Sequence, residues 1–151
     1  MFIFKISIKN MKTIFKNQKQ ILFLVLIIFF GSFLRGYNIN LNDFWSDEMV
    51  SFYLSNPDNS FKESIKLIFE INLMATFEII LKYFHLVFGY DIYVSRYLNL
   101  ILSTLSILFF YKLTKNNSNN KIATLGILLL SLNIFHIRYA MELRSYTLSF
   151  L

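Results

Sequence analysis

Three stretches of this chain run for most of a bilayer's thickness with almost no charge, and the ionisable residues between them are sorted by sign. Residues 21–34, ILFLVLIIFFGSFL, carry no charge at all. Crossing a bilayer takes about 20 apolar residues, and a helix extended from residue 20 to Tyr37 supplies them if Lys19 and Arg35 snorkel at its ends. A secretory signal peptide shares this layout of a basic leader followed by an apolar run. No small-x-small cleavage site follows, so the segment reads as an uncleaved anchor. Residues 92–111 form a second run, broken only by Arg96 near its start, and residues 122–137 form a third that extends to Ala140. A fourth begins at Tyr146 and is cut off at Leu151. A chain should not stop a few residues into an apolar segment, so the expectation is a fragment of a longer polytopic protein.

Composition agrees with a bilayer environment. Hydrophobic residues make up 56% and charged residues 16%, against about 45–50% and about 25% in soluble domains. The absence of Cys excludes a disulfide-stapled module, a thiolate zinc site and a cysteine nucleophile. A net charge of +6 could suggest nucleic acid, but the basic residues flank apolar runs instead of gathering on one face with stacking aromatics. No nucleic-acid partner is expected.

Eight of the nine acids lie between Asp43 and Asp91, and the ninth is Glu142. Lys5, Lys9, Lys12, Lys16 and Lys19 precede the first run, and Lys112, Lys115 and Lys121 lie between the second and third. The positive-inside rule puts both Lys-rich segments in the cytoplasm and the acidic stretch outside. The expected fold is all-α: polytopic membrane helices with amphipathic interfacial helices in the first outer loop. Its divisions are a basic cytoplasmic leader (1–19), transmembrane 1 (20–37), an outer loop (38–91), transmembrane 2 (92–111), a cytoplasmic loop (112–121), transmembrane 3 (122–140), and an outer motif opening a truncated transmembrane 4 (141–151). Residues 77–89 are too short and too polar to span. Glu78, Lys82 and His85 share one helical face there, and Leu73, Phe77, Ile80, Phe84 and Val87 line another, as in a helix lying in the interface. Phe61, Ile65 and Ile68 predict a second, shorter one.

Two polar constellations fall on the outer side. Asp43-Phe-Trp45-Ser-Asp47-Glu48 follows the first run, and Tyr139-Ala-Met-Glu142-Leu-Arg144-Ser-Tyr146 follows the third. Ionisable groups beside a membrane are candidates for function. Asp43 and Asp47 would share a face if their stretch is helical. A carboxylate desolvated by the bilayer surface suits a general base. Arg144 offers a planar fork for a phosphate, with Arg96 near the same surface. Each residue also has a plainer reading. Asp47 and Glu48 can be solvated loop charges, Trp45 an aromatic-belt anchor, Glu142 and Arg144 a surface pair, Arg96 and Arg138 snorkelling anchors. The Asn-rich stretch 116–120 reads as a solvated turn. His85 and His136 have no second His at ligand spacing, so no metal site is expected.

Read together, these motifs resemble the GT-C membrane glycosyltransferases, nearest to the protein O-mannosyltransferase and aminoarabinose-transferase-like family. That family carries a tryptophan-x-aspartate-glutamate stretch after the first span, matched by Trp45-Ser46-Asp47-Glu48. A phenylalanine-glycine with an arginine several residues on is matched by Phe88-Gly89 and Arg96. A tyrosine-small-x-glutamate-x-arginine-x-tyrosine stretch after the third span is matched by Tyr139, Ala140, Glu142, Arg144 and Tyr146. The resemblance covers residues 20 to 151. One departure stands out: the family's proline-proline-leucine stretch is replaced by Met74-Ala75-Thr76, which implies a differently shaped acceptor loop.

The resemblance implies transfer of a sugar from a polyprenyl-phosphate donor to an acceptor (protein, lipid or polysaccharide) on the outer face of the plasma membrane. Asp47 and Glu48 would be the catalytic pair, and Arg144 and Arg96 would bind the donor phosphate. Glu142, Tyr146, Tyr139, Trp45 and Asp43 would support them. No cofactor is implied, a divalent metal has no support in the residues, and no GxxxxGK[ST] nucleotide loop is present. The fragment alone is expected to be inactive. The rival reading is a non-catalytic polytopic module, such as a flippase component or assembly subunit in envelope glycan handling.

Overall fold

The structure is a computed structural model that describes residues 18–41, 43–71 and 75–151, with the backbone course of the first helix given from Phe2. The side chains of Lys5, Lys9, Lys12 and Lys16, and all of Leu73 and Met74, lie outside the described residues. The described chain is all-helical, with no strand. In order the helices are α1 (Phe2–Gly36), α2 (Ser46–Leu54), α3 (Phe61–Glu70), α4 (Ala75–Phe88), α5 (Ile92–Asn117), α6 (Asn120–Leu132), α7 (Ile134–Ala140) and α8 (Tyr146–Phe150).

Two of these are long and apolar enough to cross a membrane. They are the 18–36 part of α1, with mean hydropathy 1.7, and α5, with mean hydropathy 1.4. The pair α6–α7 makes a third if taken as one span, but its axis bends by 58°. On α1 the side chains of Phe23, Leu26, Phe29 and Phe30 point outward and stay exposed, as a helix facing hydrocarbon requires.

The long helices pack through small and polar residues, as helices in lipid do. A Cβ on Gly31 would stand 3.0 Å from Ser131 Oγ and 3.3 Å from Ile107 Cδ1, so glycine lets α1 approach α5 and α6 closely. Just below lie Ile27, Ile107 and Ile127, packed together. Ser32 and Thr104 hydroxyls meet at 3.0 Å between α1 and α5. A second apolar cluster (Phe77, Leu81, Leu98, Leu102 and Leu143) joins α4, α5 and the α7–α8 loop.

Side-chain caps set the helix starts. Asp91 accepts from Tyr93 N at 2.8 Å and Val94 N at 3.0 Å to open α5. Asn119 does the same for α6 through Lys121 N and Ile122 N, both at 3.0 Å. Such carboxylate and amide caps satisfy amides that have no partner within the helix. The loop expected over 112–121 therefore shrinks to Ser118 and Asn119, because α5 continues to Asn117. The run 122–140 is not one helix either. Asn133 Oδ1 accepts from His136 N at 2.9 Å, ending α6 and capping α7 in the middle of the apolar stretch.

Helix α4 is amphipathic as expected, but its polar face turns inward. Glu78, Lys82 and His85 are buried, whereas Tyr83, Leu86, Val87 and Phe88 are exposed. The reason is a set of partners on the neighbouring segment. Lys82 Nζ donates to the carbonyls of Asn56 and Asn59, each at 2.6 Å. His85 lies 3.2 Å from the Ser55 carbonyl through Nδ1 and 2.7 Å from Ser95 Oγ through Nε2. Phe52 and Tyr90 stack beside it at 4.1 Å. Glu78 accepts from Ser51 Oγ at 3.3 Å, while its Oε2 has no partner.

Burial pushes the Glu78 carboxyl above its ordinary range, opposed by its backbone hydrogen bond and Ser51. An acid raised in this way stabilises the fold most at low pH, and the contribution is lost as pH climbs from the ordinary carboxylate value through the raised one. Glu78→Gln is therefore expected to stabilise the protein near neutral pH. It should also flatten the wild-type decline in thermal stability as pH rises above the ordinary carboxylate value of about 4, read in detergent micelles. A variant whose stability tracks the wild type across that window would show that Glu78 is ionised in the fold.

Candidate functional site

The site is built where the turn after α1 meets the turn after α7. Helix α2 opens at Ser46, so Asp47 and Glu48 occupy its first turn. Neighbouring helical residues point about 100° apart, and here one carboxylate faces in and the other out. Glu48 is fully buried. Its Oε2 accepts from Trp45 N at 3.1 Å, closing the helix start, and its Oε1 accepts from Leu143 N at 2.6 Å. Arg96 donates to it from both Nε (3.0 Å) and Nη2 (2.8 Å), a bidentate geometry suited to guanidinium and carboxylate.

Arg96 also donates to the Ile39 carbonyl at 2.9 Å and the Asp43 carbonyl at 3.4 Å, and its guanidinium lies 3.8 Å above the Phe44 ring. It is itself 2% exposed. Glu48 and Arg96 thus fasten the turn after α1, the start of α2, α5 and the α7–α8 loop to one another.

Asn99, one turn beyond Arg96 on the same face of α5, donates to the carbonyls of Glu142 and Arg144. That anchors the loop and turns the Arg144 side chain outward. Arg144 Nη2 reaches Asp47 Oδ2 at 2.7 Å, with the carboxylate side chain 56% exposed and the arginine 33%. Arg144 Nη1 donates to Tyr146 Oη at 3.3 Å, and Tyr139 and Tyr146 pack ring to ring at 4.6 Å. Arg138 pairs with Glu142 at 3.4 Å.

Two adjoining clefts share Trp45, Arg138 and Glu142. The smaller, about 250 Å³, is also lined by Glu48, Tyr139 and Arg144. The larger, about 650 Å³, is bounded by Asp43, Phe44, Arg96 and Met141. Tyr139 and Tyr146 also border an apolar cavity of about 490 Å³ that runs between α5, α6 and α7 past Phe110, Leu129 and Phe135.

The structure brings Trp45, Asp47, Glu48, Arg96, Tyr139, Glu142, Arg144 and Tyr146 into one region and divides them by depth. Asp43 precedes α2 in non-helical backbone, so it does not share a helical face with Asp47. Asp47 and Arg144 are open to solvent, while Glu48 and Arg96 hold each other beneath them. Met74 of the departing stretch lies outside the described residues, and α4 opens immediately after it at Ala75.

Sequence reasoning missed three residues. Arg138, read as an anchor, lines both clefts. Asn99 carried a usable signal in its spacing from Arg96. Arg35 does not snorkel but is fully buried. Among the described residues, no three His, Cys, Asp or Glu side chains gather at metal-binding range. No family model, curated protein or solved structure matches the chain.

Proposed function

We propose that this chain belongs to an integral-membrane glycosyltransferase that moves a sugar from a polyprenyl-phosphate donor to an acceptor hydroxyl. The observation that carries the reading is the 2.7 Å pair between Asp47 and Arg144. A solvent-accessible carboxylate and a phosphate-compatible guanidinium, from segments far apart in sequence, meet beside an aromatic-walled cleft. The neighbouring apolar cavity, reached past Tyr139 and Tyr146, suits a donor whose phosphate is esterified to a hydrocarbon chain.

In the reaction the acceptor oxygen bonds to the anomeric carbon as the bond from that carbon to the phosphate oxygen breaks. Asp47 takes the acceptor proton. The lipid phosphate leaves as an anion stabilised by Arg144, with Arg138 close by. Glu48 and Arg96, each engaged by the other, hold the two halves of the site in register and act as positioning residues. Trp45, 64% exposed at the cleft, offers a flat apolar surface for a sugar ring. Membranes carrying the full-length protein should transfer labelled sugar from a polyprenyl-phosphate donor to acceptor. Retained transfer in both Asp47→Asn and Arg144→Ala membranes would overturn these residue roles, and no transfer by the wild type would favour the non-catalytic module.

The orientation belongs to the same proposal: a plasma-membrane protein with its amino end in the cytoplasm and its active face outside. The sorting of charge supports it, eight acids between Asp43 and Asp91 against eight Lys in the leader and the α5–α6 turn region. Asp58 and Asn117 are both exposed. Asp58→Cys is expected to react with an impermeant thiol reagent in intact cells, and Asn117→Cys only after permeabilisation. The opposite pattern would invert the topology.

A further inference from the structure

Arg35 sits in the last turn of α1, is fully buried, and pairs with no carboxylate among the described residues. All five of its N–H groups are nonetheless engaged. Nε donates to Ser103 Oγ at 2.8 Å. Nη1 donates to the Gly31 carbonyl at 2.7 Å and the Ser131 carbonyl at 3.0 Å. Nη2 donates to the Leu130 carbonyl at 3.1 Å and to His136 Nδ1 at 2.9 Å. With Nδ1 accepting, the His136 proton lies on Nε2 and donates to Ser106 Oγ at 2.9 Å, whose hydroxyl passes to the Ser103 carbonyl at 2.7 Å.

Two of these acceptors explain why a cation is there. In an unbroken helix the Leu130 and Ser131 carbonyls would receive the amides four residues on. The 58° bend at Asn133 removes those donors: the Leu130 carbonyl keeps a 3.2 Å bond from Asn133 N, and the Ser131 carbonyl has no backbone donor among the described residues. A carbonyl left without a partner in hydrocarbon costs several kcal/mol. One guanidinium reaches both, and also binds His136 in the first turn of α7. It therefore braces the two halves of the bend against α1 and α5. Helix α7 leads directly into the loop that carries Glu142 and Arg144.

We infer that Arg35 is a positioning residue for the candidate site: by bracing the α6–α7 bend it fixes the exit of α7 and so holds the 141–145 loop against Trp45 and Asp47. The inference rests on the site of the proposed transferase but not on the reaction run there. Its test is optical, so absence of transfer by a wild type whose loop is in place would count against the transferase alone.

The sequence has one Trp and no Cys, and Trp45 and Met141 line the same cleft. A bimane label on Met141→Cys in the purified chain should be quenched by Trp45. Arg35→Gln should relieve that quenching. In a separate protein bearing the same Arg35→Gln change, a Ser32→Cys/Thr104→Cys disulfide between α1 and α5 should still form. Unchanged quenching would overturn the inference. So would loss of the disulfide together with the quenching, because Arg35 would then be a general staple of the bundle. If Arg35→Gln fails to accumulate, Arg35→Lys is read the same way. Its single ammonium cannot span five acceptors, so quenching should again be relieved, and retained quenching overturns the inference.

Discussion

Glu48→Ala is expected to cost about 3–5 kcal/mol of stability, the effect of leaving a buried cation without its partner. Arg96 is 2% exposed and donates twice to that carboxylate, so its charge is left buried without its counter-ion once Glu48 is gone. Two backbone amides, the part-buried Trp45 N and the buried Leu143 N, also lose their acceptor, and orphaning a buried donor such as Leu143 N costs about 1–3 kcal/mol. The measurement is SDS-driven or thermal unfolding in detergent micelles. Arg96→Leu alone should be comparably harmful. The double change Glu48→Leu/Arg96→Leu should cost clearly less than the sum, because both charges leave together. It will not be neutral, since the two amides still lose their partner. Additive losses would mean that the ion pair contributes nothing and that packing alone fixes this end of the bundle.

The same pair shows how far the sequence could be read. The apolar runs and the two outer motifs are local features: α1 and α5 follow the first two runs, and the two motifs meet. What was not legible depends on contacts between distant segments. The spacing of Glu78, Lys82 and His85 announces an amphipathic helix. Which face packs inward is decided by carbonyls of residues 55–59, and periodicity carries no record of those. Arg35 looks like a snorkelling end charge until the bend at Asn133, about a hundred residues later, exposes carbonyls for it to bind. Asn133 itself was a readable warning, since an amide side chain in an apolar run competes for backbone amides. The division of work between Asp47 and Glu48 follows from their adjacency on one helical turn, but the direction of burial is set by Arg96 and Leu143.

That division leads to the larger functional prediction, which concerns Asp47 and Arg144. Both are accessible, and neither braces the bundle as Glu48 does, so Asp47→Asn and Arg144→Ala should leave membrane insertion and folding near wild type. Sugar transfer by the full-length protein should nonetheless fall by roughly 10²–10⁴-fold in each, the range for losing a general base or an anion-stabilising group. In the structure the two are bonded to each other at 2.7 Å, so the carboxylate is not available to an acceptor. A donor phosphate is the natural competitor for Arg144, since it offers the same planar fork an anion of comparable geometry. Its arrival would release Asp47 to take a proton only when a donor is in place. The order of events can be tested. Arg144→Lys keeps a point charge but loses the fork, so it should bind labelled donor more weakly while retaining part of the transfer rate at saturating donor. Asp47→Asn should bind donor at least as tightly as the wild type, because it removes the internal rival for Arg144, yet fail to turn it over. Weaker donor binding in Asp47→Asn would show that the carboxylate helps to hold the donor, and the exchange would have to be abandoned.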